Sequence, residues 1–299
     1  LILFIVFGLI LTACGGGSDD AAEVEEVVAE EPAETLDAPA TTAAAAEPEA
    51  DPASICLVLD IGGLGDLSFN DLAYSGYEKA IADFGMEGTF LEPDGGGENR
   101  GELLELCAEA GNDLIIGNGF LFDASMNEVA PNYPDLNFAI TDGVAEPANV
   151  RGMLFDHAEG SFLAGVAAAL KSTNNHVGFL GGVDFPLIHE FEQGFIAGVQ
   201  AINPDIVIEI GYASVAPDFS GFNDVVKGKE IALAQYEAGA DVIYHAAGGT
   251  GTGMFEAAKE VSESTGTKVW GIGVDFDQYY QVGNALPVSY THLRAHETG

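Results

Sequence analysis

From Ser54 onward the chain alternates short, continuous apolar runs with longer stretches whose apolar residues recur at helical spacing. Few folds accept that rhythm. A strand that is apolar at nearly every position must be covered on both faces. A helix between successive strands supplies the cover, so the pattern predicts parallel sheets flanked by helices. The first run, Ile55-Cys56-Leu57-Val58-Leu59-Asp60, ends in an acid. Residues 70–84 then set Leu72, Ala73, Tyr77, Ala80, Ile81 and Phe84 at helical spacing. Strands are predicted over 89–91, 113–117 and 137–142, with helices over 100–110 and 124–129. The same grammar restarts with helices over 161–170, 190–202, 225–238 and 253–264. Strands at 177–181, 206–210, 241–244 and 268–272 lie between and after them. Two α/β lobes follow, 54–155 and 156–274, each about 100 residues and ordinary in size for a domain. Residues 275–286 read as the start of a crossover back to the first lobe.

Sheets of this kind bind ligands beyond the carboxyl ends of their strands, and two lobes can turn those ends toward one cleft. The informative residues sit there. After the first strand come Asp60, Gly62, Gly63, Gly65, Asp66, Ser68, Phe69 and Asn70. The glycines allow tight turns and close approach of backbone to a ligand. Ser68 or Asn70 can cap the helix that follows. Phe69 stands in a polar loop, where it serves either as a hydrophobic staple or as a stacking plate for a flat ligand. Gly119 and Phe120 follow the third strand, and Asp142 closes the fourth. Gly248, Gly249, Thr250 and Gly251 follow Tyr244, and Asp275 follows the last strand. The run Gly249-Thr250-Gly251 opens a helix and could cradle an anion, but no P-loop Lys accompanies it. Asp60, Asp66, Asp142 and Asp275 make the cleft acidic and disfavour phosphorylated ligands. A neutral ligand with hydroxyls and an aromatic base fits better, since carboxylates accept hydrogen bonds and rings stack.

Charge narrows the partners. With 48 acidic against 9 basic residues the net charge is −39, which repels nucleic acid and anionic membrane surfaces. No calcium-loop spacing is present, so the acid reads as a solubilising coat and no metal or cofactor is expected. His292 and His296 form an i, i+4 pair without a third ligand nearby. Cys56 and Cys107 lie in apolar patterns and read as small buried hydrophobes, with a disulfide between them left open.

The ends read as something other than fold. Residues 1–13 are an apolar run the size of a signal-peptide core, too short for a membrane span. Leu11-Thr12-Ala13-Cys14-Gly15 resembles a bacterial lipobox, with Cys14 the lipidated residue. Residues 14–53 then form a tether with 12 acids between Asp19 and Asp51 and no Lys or Arg. Such a segment cannot bury enough apolar area to offset its ordering entropy. Residues 287–299 change character and resemble translated adapter sequence.

Several stretches in order resemble the basic-membrane-protein family of substrate-binding lipoproteins, to which purine nucleoside receptors belong. They are Leu57 to Gly63 with Asp66 to Asn70, then Asp113 to Phe120, Glu159 to Gly165, Gly194 to Gly198, and Ala247 to Gly251. The resemblance implies a type I periplasmic-binding-protein fold, two Rossmann-like lobes around a ligand cleft. It also implies a lipid anchor on the extracytoplasmic face of the cell membrane and an ABC importer with permease and ATPase partners. Carried over by motif, Phe69 stacks on a purine beside Asn70, Asp142 bonds the base, and Asp275 with Gly248 to Gly251 holds the ribose. Phe222 and Tyr244 are both candidates for a second stacking ring. The family's chain continues into a further strand and a ligand-holding Lys, where this sequence has its adapter-like tail. Rival readings are a binding protein for a sugar or autoinducer, and a calcium-dependent nucleoside hydrolase built on Asp60 and Asp66. The hydrolase lacks a convincing general acid, because His157, His176, His189 and His245 are scattered. The chain therefore reads as a receptor and not an enzyme.

Overall fold

The computed structural model describes residues 52–280. The signal-like run 1–13, Cys14, the tether up to residue 51, and everything after residue 280, His292 and His296 included, lie outside the described residues.

The first sheet has five strands: β1 (Ser54–Val58), β2 (Glu87–Leu91), β3 (Leu114–Gly117), β4 (Asn137–Thr141) and β5 (Val150–Met153). Their order is β2-β1-β3-β4-β5 and every pairing is parallel. Helices α1 (Phe69–Phe84), α2 (Arg100–Glu109) and α3 (Asp123–Val129) connect the first four strands. The second sheet runs β7-β6-β8-β9, also parallel. Its strands are β6 (His176–Asp184), β7 (Val207–Val215), β8 (Val242–Ala246) and β9 (Trp270–Ile272). Helices α4 (His157–Lys171), α5 (Pro186–Ile202), α6 (Val225–Ala238) and α7 (Gly251–Thr265) cover it.

In each sheet the chain first steps outward from a central strand and then crosses back past it. That reversal makes a crevice at the carboxyl ends of two neighbouring strands. In the first lobe the crevice opens between β1 and β3, beside Asp60 and Gly119. In the second it opens between β6 and β8, beside Phe185 and Ala247.

The cores follow from the apolar runs. Cys56, Val58, Leu104, Ile115, Phe122 and Phe138 pack under the first sheet, and Phe179, Phe195 and Tyr244 under the second. Burying one such side chain stabilises by about 1.5–3 kcal/mol. Cys56 of β1 and Cys107 of α2 are joined by a disulfide, which decides the alternative that the sequence left open. Asp156 caps α4 by accepting from the Glu159 N–H, and Asp224 caps α6 through the Lys227 N–H. Where α4 crosses α5, side chains are excluded. A Cβ on Gly165 would stand 2.1 Å from the Phe195 carbonyl oxygen, and one on Gly198 would stand 2.0 Å from that of Phe162. The glycines of two family-like stretches therefore serve helix packing.

Three expectations need correction. β5 was not anticipated, because Val150-Arg151-Gly152-Met153 is short and broken by a charge and a glycine. β6 runs on to Asp184, past Gly181 and Gly182. A Cβ at those two positions would meet the rings of Tyr212 and Phe222, so the glycines make room for aromatics. β7 extends to Val215 rather than stopping at Ile210.

Candidate ligand-binding site

The loop from Asp60 to Asn70 forms one wall of a cleft with about 680 Å³ of empty space, its open mouth included. Second-lobe residues, among them Ile188, Phe191, Phe222 and Gly248, form the facing wall.

Asp60 follows β1 and is nearly buried. Its Oδ1 accepts from the Ile61 N–H at 2.7 Å and from Arg100 Nε at 3.0 Å, with Arg100 Nη2 closer still. Burial raises its pKa, and the Arg100 guanidinium works against that rise. Oδ2 has no partner among the described residues, and a Cβ on Gly119 would come within 2.8 Å of it. Gly119, at φ 124°, is thus required twice over, for its backbone and for its bareness.

Asp66, and neither Ser68 nor Asn70, caps α1. Its two oxygens accept from the N–H groups of Ser68, Asn70 and Asp71 and from the Asn70 side chain, at 2.9–3.1 Å. Asn70 is equally committed. It accepts from the Asp60 N–H and Asn118 Nδ2, and donates to the Ile61 carbonyl and Asp66. Both residues line the cleft, but their polar atoms hold the loop in shape. Ser68 Oγ donates instead across the cleft to Asp275 Oδ2 at 2.7 Å.

Phe69 opens α1 and its ring lines the cleft. Phe120 stacks on Phe185 of the other lobe, with centroids 4.8 Å apart and planes at 17°. Phe219 and Phe222 meet Phe120 edge-on at 5.9 and 6.4 Å. Asp142 Oδ1 bonds His157 Nε2 at 3.0 Å, and that imidazole stacks on Phe191 at 4.4 Å. Burial alone would lower the His157 pKa. Its bond to Asp142, with the charges of Asp142, Glu190 and Asp275, reverses the sign and raises it. Asp275 stands opposite Asp66 and Asp142, and burial pushes its pKa up to about 7. Asp142 and Asp275, which line the cleft, have φ of 55° and 61°, and Leu67, in the loop between β1 and α1, has 56°. Side chains rarely adopt that region, and such strain gathers at functional sites.

Four predicted residues fall elsewhere. Tyr244 points from β8 into the core, against Phe179 and Phe195, with its hydroxyl 3.1 Å from Ser161 Oγ. Of the two candidates for a second ring, Phe222 is the one in the cleft. Gly249 packs against Asn223 and the Phe222 carbonyl. Thr250 is fully buried, donating to the Gly221 carbonyl and accepting from the Asp224 N–H. A Cβ on Gly251 would strike the His245 ring at 2.0 Å. The Gly-rich turn is therefore built for packing, and only Gly248 reaches the cleft. Sequence reasoning missed Arg100, Phe191 and Ile188. The signal for Arg100 was a rare base opening α2 beside the end of β1. For the other two it was α5 leaving the crevice between β6 and β8.

Residues 54–291 match the family described as ABC transporter substrate-binding protein PnrA-like, or Bmp. The chain is 35% identical over 286 residues to the CD4+ T-cell-stimulating antigen of Listeria innocua, covering 93% of this chain and 72% of that protein. It is 36% identical over 234 residues to the ABC transporter nucleoside-binding protein BmpA of Lactococcus lactis, covering 75% of this chain and 64% of that protein. A solved ABC transporter solute-binding protein from Aeropyrum pernix superposes with a TM-score of 0.71 at 31% identity, over 80% of this chain and 66% of the other. The architecture shared with such solute-binding proteins is the type I periplasmic-binding-protein fold. The family is one of substrate-binding proteins rather than enzymes. A match this extensive, on a fold whose two crevices meet at one cleft, makes this chain a member of the Bmp family of ABC transporter substrate-binding proteins.

Proposed function

We propose that this chain is the lipid-anchored, extracytoplasmic receptor of an ABC importer, handing a neutral purine nucleoside to permease and ATPase partners. One observation carries the ligand reading. Asp60, Asp142 and Asp275 all line an aromatic-walled cleft, and each leaves one oxygen without a partner among the described residues. Those oxygens suit ribose hydroxyls and base N–H groups, and Phe69 and Phe222 suit the faces of a purine. No Lys or Arg is among the described residues lining the cleft, so a phosphate there would face carboxylates with no basic side chain free to pair with it. The name of the Lactococcus relative supports the same class of ligand. The Cys56–Cys107 disulfide suits an oxidising compartment, in keeping with an anchor at Cys14.

Calorimetry with inosine, adenosine and guanosine, their 5′-monophosphates and a panel of hexoses tests the reading. Nucleosides are expected to bind far more tightly than the other two sets. A monophosphate binding as tightly as its nucleoside would overturn it, and a preferred hexose would establish the sugar reading instead.

A further inference from the structure

Gln278 opens the last short helical turn, 278–280, and is 2% exposed. Three of the four hydrogen-bonding positions of its amide are engaged. Oε1 accepts from the Val274 N–H and from His245 Nε2, each at 3.0 Å. Nε2 donates to the Leu67 carbonyl at 2.9 Å. Leu67 belongs to the first lobe, Val274 and His245 to the second, and Gln278 to the stretch that leaves β9, held to the second lobe by its bonds to those two residues. Beside Leu67, Ser68 reaches back to Asp275. A ring of contacts thus passes through Asp275, Ser68, Leu67, Gln278 and Val274, and two of its members hold φ of 56° and 61°. Strained residues persist only where their surroundings over-determine them, and this ring does so.

His245 has an odd position for a histidine. It is fully buried on β8, flanked by Gly251 and edge-on to Phe255 at 5.5 Å. Its Nδ1 has no hydrogen-bond partner. A buried, unpaired polar atom is costly, and a site needing only bulk is better served by an apolar ring. What an apolar ring lacks is the Nε2–H. An amide oxygen can only accept, so Nε2 carries the proton. Burial pushes the His245 pKa down to about 4, so at neutral pH the ring is uncharged and Nε2–H is its one donor.

We propose that Gln278 is the latch of the closed cleft and that His245 is the residue that positions it. Opening the lobes must break the Gln278–Leu67 and Ser68–Asp275 bonds together, because both belong to one ring. The same ring aims Asp275 at the ligand. His245 touches no ligand. It fixes the amide plane of Gln278 so that Nε2 faces the other lobe.

The test uses the full chain with spin labels at exposed Glu78 on α1 and Glu237 on α6. Their separation is measured by pulsed dipolar spectroscopy without ligand. His245→Phe and Gln278→Met are expected to broaden the distribution toward longer distances. His245→Gln, which keeps a donor, is expected to restore the parent distribution. The second arm rests on the nucleoside reading and measures affinity and dissociation rate. Loss of one neutral hydrogen bond corresponds to roughly 2- to 15-fold weaker binding, expected here as faster dissociation at an unchanged association rate. The distance arm needs no ligand, so failure of the nucleoside reading leaves it intact. Unchanged distances in both variants would overturn the latch. Lower melting temperatures with unchanged distances and dissociation rates would make the pair merely structural and overturn it too.

Discussion

Asp275 offers a test in which one carboxyl links pH, stability and binding. Its pKa is pushed up from an ordinary 3.8 to about 7, chiefly by burial, helped by the charges of Asp66 and Asp142 and opposed by Ser68 and His157. Between those values the folded state holds a proton that the unfolded chain has lost. Stability from this group therefore falls as pH rises through that window, and the full penalty is present above about pH 7. At 1.36 kcal/mol for each pH unit, the gap sets a ceiling of about 4 kcal/mol. Asp275→Asn should accordingly melt higher than the parent at pH 8, by less at pH 5, and close to it only near pH 4. Binding carries the opposite sign. Hydroxyls that donate to Asp275 favour its ionised form, so a nucleoside should expel a proton when it binds below pH 7. Affinity should then drop by up to about tenfold for each pH unit below 7. Calorimetry from pH 5 to 8.5, in buffer pairs of different ionisation heat, counts that proton. Because His157 titrates nearby, His157→Gln serves as the control. An unaltered pH profile in Asp275→Asn, or a variant that melts below the parent at pH 8, would refute the reasoning.

Three other outcomes are expected. Phe69→Ala should weaken nucleoside binding by roughly 1–3 kcal/mol with the fold intact, measured by calorimetry, as base stacking is lost; a fallen melting temperature with unchanged affinity would make Phe69 a staple. Arg100→Met strands Asp60 in a site where both side chains are about 10% exposed (11% and 10%), so denaturant titration should show a loss of about 3–5 kcal/mol, largely recovered by adding Asp60→Asn; a loss under about 1 kcal/mol would show the pair to be solvated. Cys14→Ser in a precursor with its complete leader should abolish labelling by fatty acid and free the protein from membranes, and persistent labelling would remove the anchor.

The parts of this molecule legible in the sequence are those governed by period. Continuous apolar runs with helical stretches between them specified parallel sheets, and the rule for strand ends brought Asp60, Gly119, Asp142 and Asp275 to one cleft. Residue type alone did not say which face of a strand a side chain takes. Tyr244 and His245 are neighbours on β8, yet one packs among core rings and the other bonds Gln278. Nor did it say whether a polar group is spent on the backbone. Asp66 resembled a ligand acid as much as Asp60 did, and only the three N–H groups at the start of α1 distinguish them. Partners 40 residues apart, such as Arg100 and Asp60, leave no periodic trace.

The bare crossing of α4 and α5 has a mechanical consequence. With glycine on both surfaces, backbone rests on backbone, and no rotamer remains there to absorb a displacement. Helix α4 begins directly after the first lobe's last strand, and its first residue, His157, grips Asp142. Helix α5 carries Ile188 and Phe191 on the cleft wall. A rotation applied where α4 begins would therefore reach those two side chains with little loss at the glycine crossing, as a stiff lever transmits torque from its fulcrum. An added methyl at Gly165 or Gly198 would prise the helices apart and put slack in that linkage, several residues from anything a ligand touches.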